Sequence, residues 1–419
     1  MEKTPKQSRV RRLFGSFSFL KGNVLIIILS WIIWYPALAL IGGYSQLYIR
    51  GLGASVIIVG AINSISLVIL SIVRILGGYV ADRFGRKNVL VSMSFASAFT
   101  YLIYALAPNW QWVLIAATLN SIFLLYQPAL IALRYDSVPS EKRGFGFALT
   151  EFLPGIVSLP APFIAIYLVL KNGTVGGMRI AYLIAFALGI AAAVVWLFLK
   201  ETLPQRNDKK ASFYSDFKKE YSEAIRFIFK KMRSVALLYI LFNFAYTGAG
   251  PFFSIYAKSF LNLGDFGWGV MYAVSFILSF TLLIPIGLVT DKIGEKRMLL
   301  VGIGFLSLFS LIYASALSNE PLSLLIMVLA YTAIILAYAG YAKAVAKLEA
   351  DFIPREKRGR VTAALSFVAL LAGAAGSALG GLEYYLINPR LPFVVLTVFM
   401  ALSFIVVLFR IKEPETPEQ

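Results

Sequence analysis

Three ionisable side chains lie within long apolar segments and are the first candidates for chemistry: Arg74, Glu151 and Lys343. The chain contains no Cys and no His, so proton transfer must use Asp, Glu, Tyr or Lys, and no metal site is expected. A charge in an apolar segment costs roughly 2.5–3.5 kcal/mol and is usually paired or functional. We therefore predict that Glu151 is a titratable coupling group that pairs with Arg74 or Lys343 in one functional state. The alternative is that both cations snorkel and that one salt bridge is static.

A repeated glycine–acid–base pattern follows two apolar segments. Residues 78–90 read GYVADRFGRKNVL, and residues 287–299, which lie 209 positions later, read GLVTDKIGEKRML. Asp82 and Asp291 are expected to face the positive N-terminal dipole of another helix and to act as a conformational latch, so residues 78–90 and 287–299 are called the first and second latch loops. The first glycine of each copy is expected to admit a neighbouring helix, and the second to permit a tight turn. The remaining members of the pattern are Gly78, Arg83, Gly85, Arg86, Gly287, Lys292, Gly294 and Lys296.

Polar and aromatic residues recur every three to four positions on several apolar segments, which is typical of helices with one distinct face. An aromatic lining with few charges suits an amphiphilic or apolar ligand better than a strongly ionic one. For each residue the alternative is an interhelical hydrogen bond. The candidate cavity residues are Trp31, Tyr35, Asn63, Asn120, Gln127, Asn243, Tyr246, Tyr331, Tyr338 and Tyr341.

The apolar segments themselves predict an all-α integral membrane protein with twelve spanning helices. The chain of 419 residues is 59% hydrophobic and only 14% charged, and its apolar runs are long enough to cross a bilayer. The spans are predicted at 24–49, 56–80, 88–107, 111–133, 145–170, 178–199, 235–257, 267–290, 298–317, 321–348, 361–384 and 392–409.

The net charge of +18 follows the predicted topology and does not indicate a nucleic-acid partner. Of the 39 Lys and Arg residues, 32 lie in the tails and connections of one side, five lie on the other side, and two lie within spans. Because positive residues mark the cytoplasmic side, both termini are predicted to be cytoplasmic. We expect a multi-pass monomer in the cytoplasmic membrane whose partners are the lipid bilayer and a small-molecule substrate.

A charged central segment divides the chain into two halves of six spans. We assign residues 1–23 to a cytoplasmic tail, 24–199 to the first half, 200–234 to a linker, 235–409 to the second half and 410–419 to a second tail. Apolar residues recur every three to four positions in the linker, which predicts an amphipathic helix on the membrane surface. The alternative is a solvated tether.

A second repeated loop carries a family resemblance. Residues 136–144 read DSVPSEKRG, and residues 351–359, at an offset of 215, read DFIPREKRG. With both loops doubled, twelve spans and a central linker, the whole chain resembles the major facilitator superfamily of secondary transporters. The resemblance implies two six-helix bundles around a cavity lined by spans 1, 4, 7 and 10, opened to each side in turn by rocking of the bundles. We expect no cofactor, and an ion gradient such as that of protons is the candidate energy source.

Span 5 also resembles part of the antiporter motif of drug-exporting branches, through Gly146, Gly155 and Pro160. Leu159 stands where that motif has glycine, and span 4 lacks the Arg that such exporters usually carry in its middle. The part of the motif that is present predicts efflux of an amphiphilic solute. Uptake of a sugar, peptide or organic anion is the alternative.

Function classes other than a carrier are disfavoured. A membrane enzyme is disfavoured by the short external loops and by the lack of His and Cys. An ATP-driven pump would need a G-x4-G-K-[ST] loop, which the sequence does not contain. The doubled latch loops argue against a channel.

Overall fold

The computed structural model describes residues 20–139, 143–203, 213–317, 323–354 and 358–411, and within these ranges the regular structure is entirely helical. Eleven helical segments of the described chain are long and apolar enough to cross a membrane. Ten of them correspond one to one to predicted spans, and the eleventh, residues 146–196, covers both span 5 and span 6.

The segment that covers spans 5 and 6 folds back on itself at Gly173. This residue has φ 73° and ψ 165°, which is not helical. A Cβ placed on Gly177 would lie 2.5 Å from the carbonyl oxygen of Leu168, although residues nine positions apart in a straight helix are separated by about 13 Å. The chain therefore runs as two antiparallel spans here. The prediction of an all-α membrane protein with twelve spans is confirmed.

The helices of the first half are Asn23–Gly42 and Ser45–Gly51 in span 1, Val56–Phe84 in span 2, Arg86–Leu106 in span 3, Trp110–Phe123 and Gln127–Ser137 in span 4, and Arg143–Ser158 and Ala161–Trp196 in spans 5 and 6. In the second half they are Arg233–Ala249 and Phe253–Ile255 in span 7, Gly264–Ile293 in span 8, Glu295–Ser315 in span 9, Ser323–Phe352 in span 10, Arg358–Leu382 in span 11 and Leu391–Arg410 in span 12.

Span 4 is interrupted in its middle. A 3₁₀ turn, Leu124–Tyr126, separates its two helices, and Pro128 lies in the first turn of the second helix. Proline has no amide hydrogen and disrupts a continuous helix at this position, whereas it is well accommodated in a first turn. The break brings Gln127 to the start of a new helix in the middle of the first half.

The predicted linker helix is present as Phe213–Lys231. Ala224 and Ile228 are buried, whereas Ile225 and Phe229 are 47% and 73% exposed. One apolar edge of this helix therefore packs on the protein and another remains exposed, as expected for an amphipathic helix. The side chains of residues 213–221 lie outside the described set.

Two faces of the helical domain are used as reference below. The basic face is the end that contains the turns between spans 2 and 3 and between spans 8 and 9, where most of the described Lys and Arg residues lie. The opposite face is the other end, which contains the turn at Gly173.

Candidate functional site

Aromatic residues of spans 7 and 10 form a stack inside the second half. The ring centroids of Tyr246 and Tyr338 are 4.5 Å apart, and those of Phe242 and Tyr341 are 3.5 Å apart. Tyr338 is 39% exposed, so it is the member of the stack that a solute can reach most readily. Three predicted cavity residues are thus brought together. Phe242 belongs with them, although it was not among the predicted cavity residues.

The two other candidates of the second half, Tyr331 and Asn243, have different contacts. Tyr331 is buried against Trp268 and Phe253, with 5.3 Å between ring centroids in both pairs. Asn243 donates its side-chain amide to the carbonyl oxygen of Tyr239, one turn earlier in its own helix, at 2.9 Å. Neither residue joins the aromatic stack.

Trp31 and Tyr35 of span 1 pack edge to face, with ring centroids 5.6 Å apart. Trp31 also lines a cavity of about 40 Å³ inside the first half, together with Trp34 and Ser94. The buried hydroxyl of Ser94 has no hydrogen-bond partner among the described residues, and the cavity has room for a water molecule that would satisfy it. Trp31 therefore borders a small polar space within its own bundle.

Two asparagines that were candidates for the cavity instead link neighbouring helices. Asn63 of span 2 exchanges side-chain hydrogen bonds with Gln46 of span 1, at 3.1 and 3.4 Å. Asn120 of span 4 accepts hydrogen bonds from Ser97 and Thr100 of span 3, at 2.8 and 3.3 Å. Asn120 is thus turned toward a neighbouring helix in this conformation, and its assignment to the cavity lining stays a prediction.

Glu151 pairs with Arg134 in this conformation. Nη2 of Arg134 lies 3.2 Å from Oε1 of Glu151 and donates to the carbonyl oxygen of Phe147 at 3.0 Å. The guanidinium also lies over the ring of Trp31, 5.1 Å from its centroid. Arg134 was not counted among the charges within spans, because span 4 was predicted to end at residue 133, whereas its helix continues to Ser137.

Arg74 and Lys343, the partners predicted for Glu151, have other surroundings. Nε of Arg74 donates to Oε1 of Gln127 at 3.2 Å, which joins two candidate residues across spans 2 and 4. The pairing predicted for Glu151 with Arg74 or Lys343 is therefore not made in this conformation.

Lys343 lies on a different face of span 10 from the aromatic stack. Leu336, Lys343 and Lys347 are separated by seven and four residues and share one stripe of the helix. Lys347 of this stripe pairs with Glu295, the first residue of the span 9 helix, at 2.6 Å. Tyr338 and Lys343 are five residues apart, which corresponds to a rotation of about 140° around the helix axis. Lys343 is therefore oriented toward spans 8 and 9.

Glu349 is a second charged residue near the basic face that was not among the predicted site residues. The hydroxyl of Tyr239 on span 7 donates to Oε1 of Glu349 on span 10. The offset of 215 that relates the second pair of repeated loops also relates Arg134 to Glu349. Equivalent positions of the two halves thus carry opposite charges.

The first latch loop is bonded within its own half. Arg86 pairs with Asp82 at 3.7 Å and with Asp136, and Asp82 remains 65% exposed. Arg83 is exposed and donates to the hydroxyl of Tyr79 at 3.5 Å. The dipole contact predicted for Asp82 is therefore not made in this conformation.

The glycines of the latch loops divide into two groups. Gly85 and Gly294 have φ 89° and 85°, in the left-handed region that the predicted turns require. Gly78 and Gly287 have no neighbouring atom within 4 Å of an added Cβ, so the close approach predicted there is absent in this conformation. The tight position is Gly77, whose Cβ would lie 2.4 Å from the carbonyl oxygen of Leu125.

Glu201, which follows span 6, fastens the first latch loop. Its Oε2 accepts from the backbone amide of Lys87 at 3.0 Å, and its Oε1 accepts from the amides of Thr202 and Leu203. Partial burial raises the pKa of Glu201, but these three amides and the charge of Arg86 outweigh that effect and hold it below its ordinary value. The carboxylate thus satisfies one amide at the start of span 3, that of Lys87.

Substitution Glu201→Gln is expected to lower the melting temperature at pH 7. Because the pKa is lower in the folded state, the charged carboxylate contributes stability above its ordinary value of 4.5, and this is lost as pH falls through the folded value. The difference between wild type and variant should therefore shrink below pH 4.5 in thermal unfolding of the purified protein. The exposed Glu223 provides the matched control, Glu223→Gln. A difference that persists at low pH contradicts the assignment.

The second latch loop is likewise fastened within its half. Nζ of Lys296 donates to the carbonyl oxygen of Leu408 on span 12 at 3.0 Å, and Lys292 is exposed. The side chain of Asp291 lies outside the described set, so its predicted latch contact stays a prediction.

The two halves are joined at the opposite face. Thr174 of the first half donates to both carboxylate oxygens of Asp265 at 3.1 Å and accepts from Lys258 at 2.8 Å. Tyr44 donates to the carbonyl oxygen of Asp265 at 2.8 Å, and Trp268 donates to that of Gly43 at 2.6 Å. Where both partners are described, the hydrogen bonds between halves lie toward this face. The structure therefore represents a conformation that is closed there.

Spans 2 and 11 approach each other closely, which supports the same closure. The hydroxyl of Ser377 on span 11 donates to the carbonyl oxygen of Gly60 on span 2 at 3.3 Å, and a Cβ on Gly60 would lie 3.2 Å from Cα of Gly381. Nearer the basic face, Phe152 of span 5 stacks on Phe280 of span 8 with centroids 5.2 Å apart. Spans 2 and 11 and spans 5 and 8 thus form the contact between the halves.

Twelve apolar helices in two repeated halves, closed together at one face, define a multi-pass membrane transporter. The sequence pattern of the Major Facilitator Superfamily matches residues 13–280 and 235–419. The chain belongs to this family.

Relatives within the family have different described activities. The chain is 24% identical over 300 residues to the multi-drug resistance efflux pump PmrA of Streptococcus pneumoniae, covering 69% of this chain and 71% of that protein. It is 24% identical over 264 residues to a putative proline/betaine transporter of Staphylococcus aureus, covering 60% of this chain and 56% of the relative.

Solved structures share the fold. A D-xylose–proton symporter has a TM-score of 0.70 at 14% identity, covering 93% of this chain and 97% of the symporter. The human organic anion transporter MFSD10 has a TM-score of 0.67 at 17% identity, covering 92% and 98%. At these identities the likeness concerns the fold alone.

Proposed function

We propose that this transporter exports a small amphiphilic solute by alternating access and that its basic face is cytoplasmic. The observation that carries the proposal is the stack of Phe242, Tyr246, Tyr338 and Tyr341, which offers aromatic surface without a charged member. Such a surface binds flat or apolar groups and is poorly suited to a strongly ionic solute. The resemblance to a multidrug efflux pump supports export, whereas the proline/betaine relative represents the uptake alternative.

The proposal is tested with purified protein in liposomes of known orientation. Amphiphilic dyes, sugars and organic anions are compared as solutes, with an imposed proton gradient of either sign. We expect saturable movement of dye out of the compartment that the basic face contacts. Gradient-driven accumulation of a sugar or an organic anion in that compartment, without dye transport, would show uptake instead.

We further propose that Glu151 couples transport to protons, because its carboxylate is 52% exposed and can exchange its partner Arg134 for a proton. Glu151→Gln is expected to abolish the pH dependence of solute transport while leaving solute binding intact. Transport and binding are measured from mildly acidic to mildly alkaline pH. Glu223→Gln again serves as the control. An unchanged rate and pH profile would refute the coupling role.

Closure of the basic face is proposed to bring Arg134 and Glu349 together. The halves of this fold are related by an axis along the membrane normal, so equivalent positions lie at equal depth on either side of that axis. Arg134 and Glu349 are such positions, and they carry opposite charges on spans 4 and 10. In the present conformation each has a partner within its own half, Glu151 for Arg134 and Tyr239 for Glu349. Exchange of these partners would favour the closed basic face.

A further inference from the structure

A crevice between spans 8, 9 and 10 lies apart from the aromatic stack. It has a volume of about 350 Å³, and its lining is apolar and includes Pro285, Val289, Val301, Phe305 and Leu336. Val289, Val301 and Phe305 are 44–48% exposed, so the crevice opens sideways between membrane-spanning helices. The surrounding bilayer is therefore the medium that reaches it.

A cation lies beside this crevice on the side of the basic face. Leu336 lines the crevice, Lys343 is two turns farther along the same stripe, and Lys347 one turn beyond pairs with Glu295. Lys343 is thus about 6 Å deeper in the membrane than that ion pair. Lys343 itself makes no ion pair or hydrogen bond with another described residue. An unpaired cation at this depth calls for an anionic partner.

Further positive charge surrounds the basic-face end of the crevice. Lys292 and Arg297 flank the turn between spans 8 and 9, and both are exposed. Anionic headgroups are attracted to such clusters at the membrane surface, while an acyl chain gains about 0.8 kcal/mol for each buried methylene group. The apolar crevice thus lies deeper in the membrane than the cationic residues beside it. A phospholipid has the same arrangement, because its acyl chains lie deeper than its phosphate.

We propose that this crevice binds an anionic phospholipid from the leaflet at the basic face. One acyl chain occupies the crevice along Leu336 and Phe305, and the phosphate pairs with Lys343. The transported solute is a less suitable occupant, because the crevice and Tyr338 of the aromatic stack lie on different faces of span 10. The lipid would hold spans 8, 9 and 10 together beside the second latch loop.

The experiment compares the full chain in nanodiscs of phosphatidylcholine with and without phosphatidylglycerol. A bound lipid raises the melting temperature by mass action, and native mass spectrometry counts the lipids that stay bound. We expect phosphatidylglycerol to raise the melting temperature of wild type, and Lys343→Gln to lose most of this shift and one retained lipid. Ala333→Phe, which fills the crevice, should lose the same lipid. Ala333→Leu provides a smaller filling change should the Phe variant fail to fold.

The matched control is Lys171→Gln, which removes an exposed cation at the opposite face. It should keep the full shift and the retained lipid. An equal loss in Lys171→Gln and Lys343→Gln would show general charge attraction and overturn the site. Full retention in Lys343→Gln, or in both crevice-filling variants, would overturn it as well. Displacement of the lipid by the transported solute would assign the crevice to solute instead.

Discussion

Oxidation of the double variant Thr174→Cys/Asp265→Cys is expected to stop solute transport almost completely, and a reductant is expected to restore it. The two side chains lie in different halves, and their oxygen atoms are 3.1 Å apart. A disulfide here would hold the opposite face closed, although alternating access requires that face to open once in each cycle. The chain contains no Cys, so the engineered pair reacts without competing thiols.

The control pair for this experiment lies within one half. The hydroxyl oxygens of Ser275 on span 8 and Thr332 on span 10 are 2.8 Å apart, and both residues belong to the second half. Cross-linking Ser275→Cys/Thr332→Cys should leave oxidised and reduced protein with equal transport rates. Transport by the fully oxidised Thr174/Asp265 pair at the reduced rate would show that this contact does not open during the cycle.

Substitutions Arg134→Gln and Glu349→Gln are expected to slow transport strongly when made singly and to add little when combined. If the two side chains pair only when the basic face closes, either loss removes the same stabilisation of that state. A coupling of about 1–3 kcal/mol corresponds to a factor of about 5–150 in the equilibrium between the states. The measurement is the initial transport rate of the four proteins of the cycle in liposomes.

A matched cycle uses Arg86, which pairs with Asp82 and Asp136 in the first half. The variants Arg86→Gln and Glu349→Gln should combine additively, since neither conformation is proposed to bring these two residues together. Additive effects of Arg134→Gln and Glu349→Gln would refute the proposed exchange of partners. Equal non-additivity in both cycles would show a general disturbance of the basic face.

The sequence predicted the features that depend on composition and period. The twelve spans follow from long apolar runs, and the left-handed turns at Gly85 and Gly294 follow from the repeated loops. The aromatic residues Tyr246, Tyr338 and Tyr341 were also identified by helical spacing. All of these signals lie within one segment of chain or in a direct repeat, so no tertiary information was needed.

Partner choice was harder to predict, because it depends on where helices end and in which direction a side chain points. Ending span 4 four residues early hid Arg134, the partner that Glu151 has in this conformation. Lys343 was chosen as a candidate partner only because it lies within a span. Its spacing already places it on the same stripe of span 10 as Leu336 and on a different face from Tyr338. Asn120 could not be assigned without knowing that Ser97 and Thr100 face it from span 3.

The reversal of direction at Gly173 has a consequence for biogenesis. A residue with a side chain is strained at φ 73°, and a continuous helix would turn the 51-residue apolar segment into one overlong span. The number of crossings would then be odd, and every later loop would emerge from the other side of the bilayer. Spans 5 and 6 are therefore expected to enter the membrane together as a helical hairpin. A single left-handed glycine thus sets the parity of crossings and the side on which the second half presents its basic loops.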